Sequence, residues 1–288
     1  METSLNGRRI GFHMSISSGI LQAVDETVLI GCNSMQIFSR NPRSWKKKRF
    51  RKELLIEFKN KIRKHNIYPL VIHSIYLINA CSDNNEIYRK SRQLLLEEAR
   101  NTEKLGGNFL VLHPGSCRIK QKGIKRLASA LDAACPILSG EKKILIENVA
   151  GGGMQIGKNF EEMKMILEKV KYPEKVGFCI DTCHLFAYGF NLRVRMNVMS
   201  MFSEINENIG LDRVNLIHLN DSKFDLSQKR DQHEHLGNGF IGMQGLKNFL
   251  NSGFINEVPI IMETPKDQLD SDKKNLKTLL SILNGAGL

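Results

Sequence analysis

The chain has 288 residues, enough for one large domain or two small ones, and its 41% hydrophobic and 25% charged content is ordinary for a globular protein able to bury a core without disulfides. Its net charge of +12, from 42 Lys and Arg against 30 Asp and Glu, raises the local concentration of polyanions. No apolar run reaches membrane-spanning length, and the start, METSLNGRRIGF, lacks the apolar core of a secretion signal, so an intracellular protein is expected, in cytoplasm or nucleus rather than secreted.

Eight β-branched or apolar runs follow in order: Arg9–Met14, Ser34–Phe38, Pro69–His73, Phe109–His113, Ile144–Val149, Val176–Asp181, Val214–Leu219 and Val258–Glu263. Between them lie segments of helical period, such as Ile87–Leu105, Phe160–Val170 and Leu276–Leu283. Strands that alternate with helices pair in parallel through right-handed crossovers, and strands covered on both faces read as continuous apolar runs. Eight such units predict an α/β protein, a single (β/α)8 TIM barrel over residues 1–288 with its active site at the C-terminal ends of the strands. An open doubly wound sheet is the alternative. No linker divides the chain, and its one dense charge run is KKKRFRK, Lys46–Lys52.

The six cysteines, Cys32, Cys81, Cys117, Cys135, Cys179 and Cys183, form no CxxC pair and are expected to be reduced and mostly buried.

The polar residues fall at the strand ends. The third run ends on His73, the fourth on His113, the fifth reaches Glu147, the sixth Asp181 followed by His184, the seventh His218 and the eighth Glu263. In a barrel these ends converge on one mouth. One such histidine is ordinarily structural, but carboxylates and imidazoles crowded at six successive strand ends need a cation to pair them. The loop RDQHEHLGNG adds Asp231 and His233, which share one side of an extended segment, and His184 lies one helical turn after Asp181. Five histidines and four carboxylates exceed one tetrahedral zinc and suit two or three metals with bridging carboxylates. Three divalent ions would outweigh four carboxylates by two positive charges, a surplus that favours a phosphodiester over a neutral substrate.

These residues lie in stretches that resemble the endonuclease IV family of apurinic/apyrimidinic endonucleases: GFHMS, YLIN (Tyr76–Asn79), VLHPG (Val111–Gly115), IEN (Ile146–Asn148), IDTCH (Ile180–His184), HLND (His218–Asp221), DQHEHLGNGFIG (Asp231–Gly242) and METP, which contains Glu263. The resemblance spans nearly the whole chain. It implies a trinuclear zinc centre, with one metal on His73, His113 and Glu147, a second on Glu147, Asp181, His218 and Glu263, and a third on His184, Asp231 and His233. Mn2+ would suit the carboxylate-rich positions. Glu147 would be the catalytic residue that bridges metals and orients the nucleophile.

The same resemblance implies hydrolysis 5′ to abasic sites, leaving a 3′-hydroxyl, and removal of blocking groups from 3′ ends. The expected partner is double-stranded DNA carrying abasic sites or blocked 3′ ends, met by a monomer. FSRNPRSW resembles the family's DNA-penetrating loop, with Arg43 and Trp45, and Tyr76 and Leu77 resemble the residues that wedge the duplex. The chain departs from the family at Ser74, where Asp is usual, so an outer contact to His73 is expected to be missing. AGGGMQIG (Ala150–Gly157) is an altered family loop, and His13 matches a family position near the mouth without being assigned as a ligand.

A sugar isomerase or epimerase on a similar barrel is the nearest rival, but it needs fewer ligands and has no use for the charge. A non-catalytic DNA-binding barrel should have lost a ligand, and all nine are present.

Overall fold

The computed structural model describes residue 5 and residues 7–45 and 50–285; Lys46–Arg49 of the basic run lie outside the described residues. The barrel is built from β1 (Ile10–Met14), β2 (Ser34–Phe38), β3 (Leu70–His73), β4 (Phe109–Leu112), β5 (Lys143–Glu147), β6 (Val176–Asp181), β7 (Val214–His218) and, after a two-stranded ribbon of β8 (Asp221–Ser222) and β9 (His233–Glu234), β10 (Ile260–Met262). Every barrel neighbour pairs in parallel, and β10 closes the ring between β7 and β1. The open-sheet alternative is therefore excluded. Three strands stop one residue short of the sequence expectation, His113 following the last residue of β4, Leu219 that of β7 and Glu263 that of β10, and β5 stops at Glu147, two residues before Val149.

Helices cover the outside: α1 (Ile20–Ile30), α2 (Lys52–Lys64), α3 (Asn85–Leu105), α4 (Lys120–Ala134), α5 (Phe160–Leu167), α6 (Thr182–Tyr188), α7 (Arg195–Asn208), α8 (Gly242–Leu250) and α9 (Ser271–Leu283). The limits of α3 follow from capping. Asn84 accepts from the amides of Glu86 and Ile87 at the start of α3, and left-handed Gly106 ends that helix. A cap of this kind contributes about 1 kcal/mol. No helix among the described residues is long and apolar enough to cross a membrane. All six cysteines are free and buried, as expected.

The lumen explains where the polar residues go. Val71, Val111, Leu145, Cys179, Leu216 and Ile261 form a dry layer inside the barrel. Side chains alternate with a period of two along a strand. The residue two positions after each layer member therefore points inward again, one level nearer the mouth. Those residues are His73, His113, Glu147, Asp181, His218 and Glu263. An apolar floor thus carries a layer to which these six strands bring imidazoles and carboxylates.

Candidate metal centre

Glu147 is fully buried at the end of β5 and faces imidazoles with both oxygens. Its Oε2 lies 3.2 Å from His73 Nε2 and 3.0 Å from His113 Nε2, and its Oε1 lies 3.0 Å from His218 Nδ1. His218 Nδ1 is also 3.4 Å from Glu263 Oε2. Asp181 ends β6 and caps α6, accepting from the His184 amide at 2.7 Å, and so the strand-to-helix turn fixes both side chains. His184 Nε2 lies 3.0 Å from Asp231 Oδ1, and His233 Nε2 lies 3.5 Å from the same oxygen and 3.7 Å from Asp181 Oδ2.

Three clusters thereby bring their donor atoms within 4.8 Å of one another: His73, His113 and Glu147; Glu147, Asp181, His218 and Glu263; and His184, Asp231 and His233. All nine residues singled out from the sequence meet at the mouth. Nitrogen and oxygen ligands each about 2.0–2.1 Å from a tetrahedral zinc sit roughly 3.4 Å apart, and the separations above bracket that spacing.

The outer hydrogen bonds set the direction of each ring. His73 Nδ1 meets the Ser74 carbonyl at 2.7 Å, His184 Nδ1 the Asn148 carbonyl at 2.8 Å, His233 Nδ1 the Glu263 carbonyl at 3.1 Å, and His218 Nε2 the Gln36 Oε1 at 2.9 Å. Each acceptor holds an N–H, which leaves the other nitrogen's lone pair aimed at the carboxylates. His184 Nε2 and His233 Nε2 are buried without a hydrogen-bond partner. A lone pair facing a carboxylate in a buried site is relieved by a cation between them, a proton in the metal-free fold or a metal ion in its place. The donor set therefore fits divalent metal.

The charges agree. Burial opposes ionisation of Glu147, but the imidazoles of His113 and His218 override it and hold the carboxyl well below its usual range. Burial likewise opposes protonation of His184, and Asp181 and Asp231 override it, raising that imidazole well above its usual value. The Cys179 thiol also lies within ligand range of Glu147 and His218, and burial pushes it up to about 12, which favours the neutral thiol in the metal-free floor.

Several supporting residues escaped the sequence reading. Gln36 donates to Glu263 Oε1 at 2.6 Å while it accepts from His218. Asn220 donates to Asp181 Oδ2 at 2.7 Å and accepts from the Glu263 amide at 2.8 Å. Asn148 accepts from the Asp181 amide at 2.7 Å. Buried Asp221 accepts from the amides of Ser222, Gly237, Gly239, Ile241 and Gly242, which pins the loop after His233. At Ser74 it is the backbone carbonyl that meets His73 Nδ1. His13, outside the nine, places Nδ1 3.1 Å from Glu263 Oε1.

The DNA-binding candidates divide. Tyr76 is 65% exposed at the mouth, with its ring 5.3 Å from Phe38 and 6.3 Å from His73. Leu77 is half-buried and packs against the core. Arg43 and Trp45 are exposed on a loop anchored by buried Arg40, whose guanidinium pairs with Glu98 at 2.7 Å and Glu97 at 3.2 Å. The Trp45 ring faces Lys90 Nζ at 6.0 Å rather than the histidines. The altered loop Ala150–Gly157 is tied to its neighbour through the Cys117 amide and Met154 carbonyl at 3.0 Å and to Glu162 through the Gly157 amide at 2.9 Å.

Residues 24–284 match the model of the xylose isomerase-like TIM barrels. The probable endonuclease 4 of Halothermothrix orenii is 41% identical over 260 residues, covering 90% of this chain and 94% of that protein. The probable endonuclease 4 of Cenarchaeum symbiosum is 38% identical, covering 93% and 97%. The crystal structure of endonuclease IV from Thermus thermophilus superposes with a TM-score of 0.86 at 32% identity, covering 96% of this chain and 100% of that one. A D-tagatose 3-epimerase-like protein shares the fold at a TM-score of 0.68 with 17% identity, a likeness of barrel alone. With that identity along nearly its full length and the same barrel, the chain belongs to the endonuclease IV family.

Proposed function

We propose that this protein is a base-excision-repair endonuclease that hydrolyses the phosphodiester 5′ to abasic sites, leaving a 3′-hydroxyl, and that also clears blocked 3′ ends. It acts as a monomer on damaged double-stranded DNA with three zinc ions, Mn2+ being accepted at the carboxylate-rich positions. His73, His113 and Glu147 would hold the first ion, Glu147, Asp181, His218 and Glu263 the second, and His184, Asp231 and His233 the third. The observation that carries the reading is Glu147, whose two oxygens face separate sets of imidazoles 3.0 Å away.

Bound metals would supply Lewis acidity, stabilising charge on the phosphoryl oxygens and acidifying water. The chain supplies the rest. Glu147, held between His113 and His218, would serve both the first and the second ion position and would orient the nucleophile. Asn148 and Asn220 restrain Asp181, and Gln36 restrains His218 and Glu263, so that little reorganisation remains when the substrate arrives. Tyr76 and Leu77 border the mouth beside His73, and Arg43 and Trp45, exposed on the anchored loop, would meet the DNA backbone. Extrusion of a nucleotide costs least where its base is missing, which selects damage.

Incubating the metal-loaded protein with a duplex that carries one tetrahydrofuran abasic analogue tests the reading. The expected product is a single nick 5′ to the analogue whose 3′ end primes a polymerase. An intact strand, or a nick that does not prime, would overturn it.

A further inference from the structure

Phe240 is half exposed, at 50%. Exposed aromatics scattered over a surface are common and need no explanation. This one is held unusually firmly. Its own amide donates to the Ser222 carbonyl at 2.8 Å, and the residues on either side, Gly239 and Ile241, both donate to the buried Asp221 carboxylate. Gly239 has no room for a side chain, because a Cβ there would meet the Ser222 carbonyl oxygen at 2.3 Å. The turn is rigid down to its backbone while the ring at its tip is left in solvent.

The position is equally specific. Ser222 pairs with His233 across the β8–β9 ribbon, so Phe240 is bonded to the residue that faces His233. Phe240 also lies just ahead of α8, on the loop that leads from β9 to that helix. The other aromatic of this loop, Phe224, is covered by the Arg230 guanidinium 3.8 Å above its ring. Among the described residues Phe240 has no ring or cation partner. A packed ring would be covered; this one stands clear on a turn that the same amides, converging on buried Asp221, hold in place together with the loop after His233.

We infer that Phe240 is a stacking residue for a nucleobase beside the scissile phosphate, a binding position additional to the loops at Arg43 and Tyr76. This inference rests on the proposed action on DNA. A base has an apolar π-face of matching size, and a preordered ring loses little entropy on stacking. Because each base offers such a face, the contact adds affinity without demanding a sequence.

The test compares Phe240→Ala, Phe240→Leu and Phe240→Tyr with the parent on the same abasic-analogue duplex, reading Kd, KM, kcat, metal content and Tm. Phe240→Ala and Phe240→Leu should raise Kd and KM by about five- to a hundredfold, the scale of one base–aromatic stack. The loss should fall on binding rather than on kcat, metal content or Tm, and Phe240→Tyr should restore it. Unchanged Kd in Phe240→Ala, or a loss of affinity that tracks lost metal or lowered Tm, overturns the inference. A parent protein that binds the duplex but does not nick it overturns the proposed reaction instead, and the stacking role is then judged on Kd alone.

Discussion

Gln36 Oε1 lies 2.9 Å from His218 Nε2, so a side chain in the middle of β2 decides which nitrogen of a buried imidazole faces the carboxylates. The same amide donates to Glu263, joining β2 to β10 through the site. Gln36→Leu keeps the volume and removes both bonds. It should weaken metal retention at the Glu147–His218–Glu263 position about 10–100-fold, the usual effect of losing an outer partner of a ligating histidine. Chelator competition against the parent protein reads this directly; retention equal to the parent's would show that His218 is oriented without Gln36.

Glu147→Gln preserves shape but replaces the charge between His113 and His218 with a neutral amide. The expected result is a fall in kcat of about a thousandfold or more, the scale of a lost transition-state electrostatic interaction, while damaged duplex still binds. Rate and affinity on the same preparation, with metal content recorded, check it. Near-normal turnover would remove Glu147 from the catalytic role.

Metal and protons compete at His184. Its imidazole is raised well above the usual value in the metal-free fold, because Asp181 and Asp231 outweigh burial. The stabilisation from that protonated ring is fully present below the unfolded pKa, about 6.5, and is lost as pH rises through the raised folded value. Metal requires the neutral ring, so loading strengthens over the same interval. The gap in Tm between metal-loaded and metal-stripped protein should therefore widen as pH rises from about 6.5 through the raised value of that ring. A gap that stays constant would mean that His184 gives up no proton on loading.

Tyr76 and Leu77 are neighbours in sequence with different surroundings. Tyr76 is exposed beside Phe38, so Tyr76→Ala should weaken binding to an abasic duplex by roughly 1–3 kcal/mol and leave undamaged duplex nearly unaffected. Leu77 packs against the core, so Leu77→Ala should also lower Tm. Binding to both duplexes, measured with Tm on each variant, separates the roles. Equal loss on the two duplexes for Tyr76→Ala would reassign that ring to supporting His73.

The barrel and its six strand-end residues were legible because both follow from short-range periodicity. Eight apolar runs alternating with helices admit few topologies, and the period of two that buries Val71 and Leu145 also aims His73 and Glu147 into the mouth. His184 was legible from the turn after Asp181. Asp231 and His233 lie in a long loop, and spacing alone could say only that they share a side. Their meeting with His184 depends on the β8–β9 ribbon, which two-residue strands do not announce. Gln36 was hidden because one polar residue in MQIF reads as a tolerated core position, and its partners lie 182 and 227 residues away. Asn148 and Asn220 stand close to ligands in IEN and HLND, but their bonds to Asp181 cross between strands and leave no mark in local spacing. The role of buried Asp221 is hidden likewise, since it holds backbone amides of a loop that folds back from residues 237–242.

The most direct test of the account is to strip the protein of metal and titrate zinc back while following incision 5′ to a single abasic analogue. Three ions per chain should be retained at saturation, and the incision rate should reach its maximum only as the third binds, in line with three clusters of donors at one mouth, two of them sharing Glu147. Full activity with one ion per chain, or with none, would contradict it.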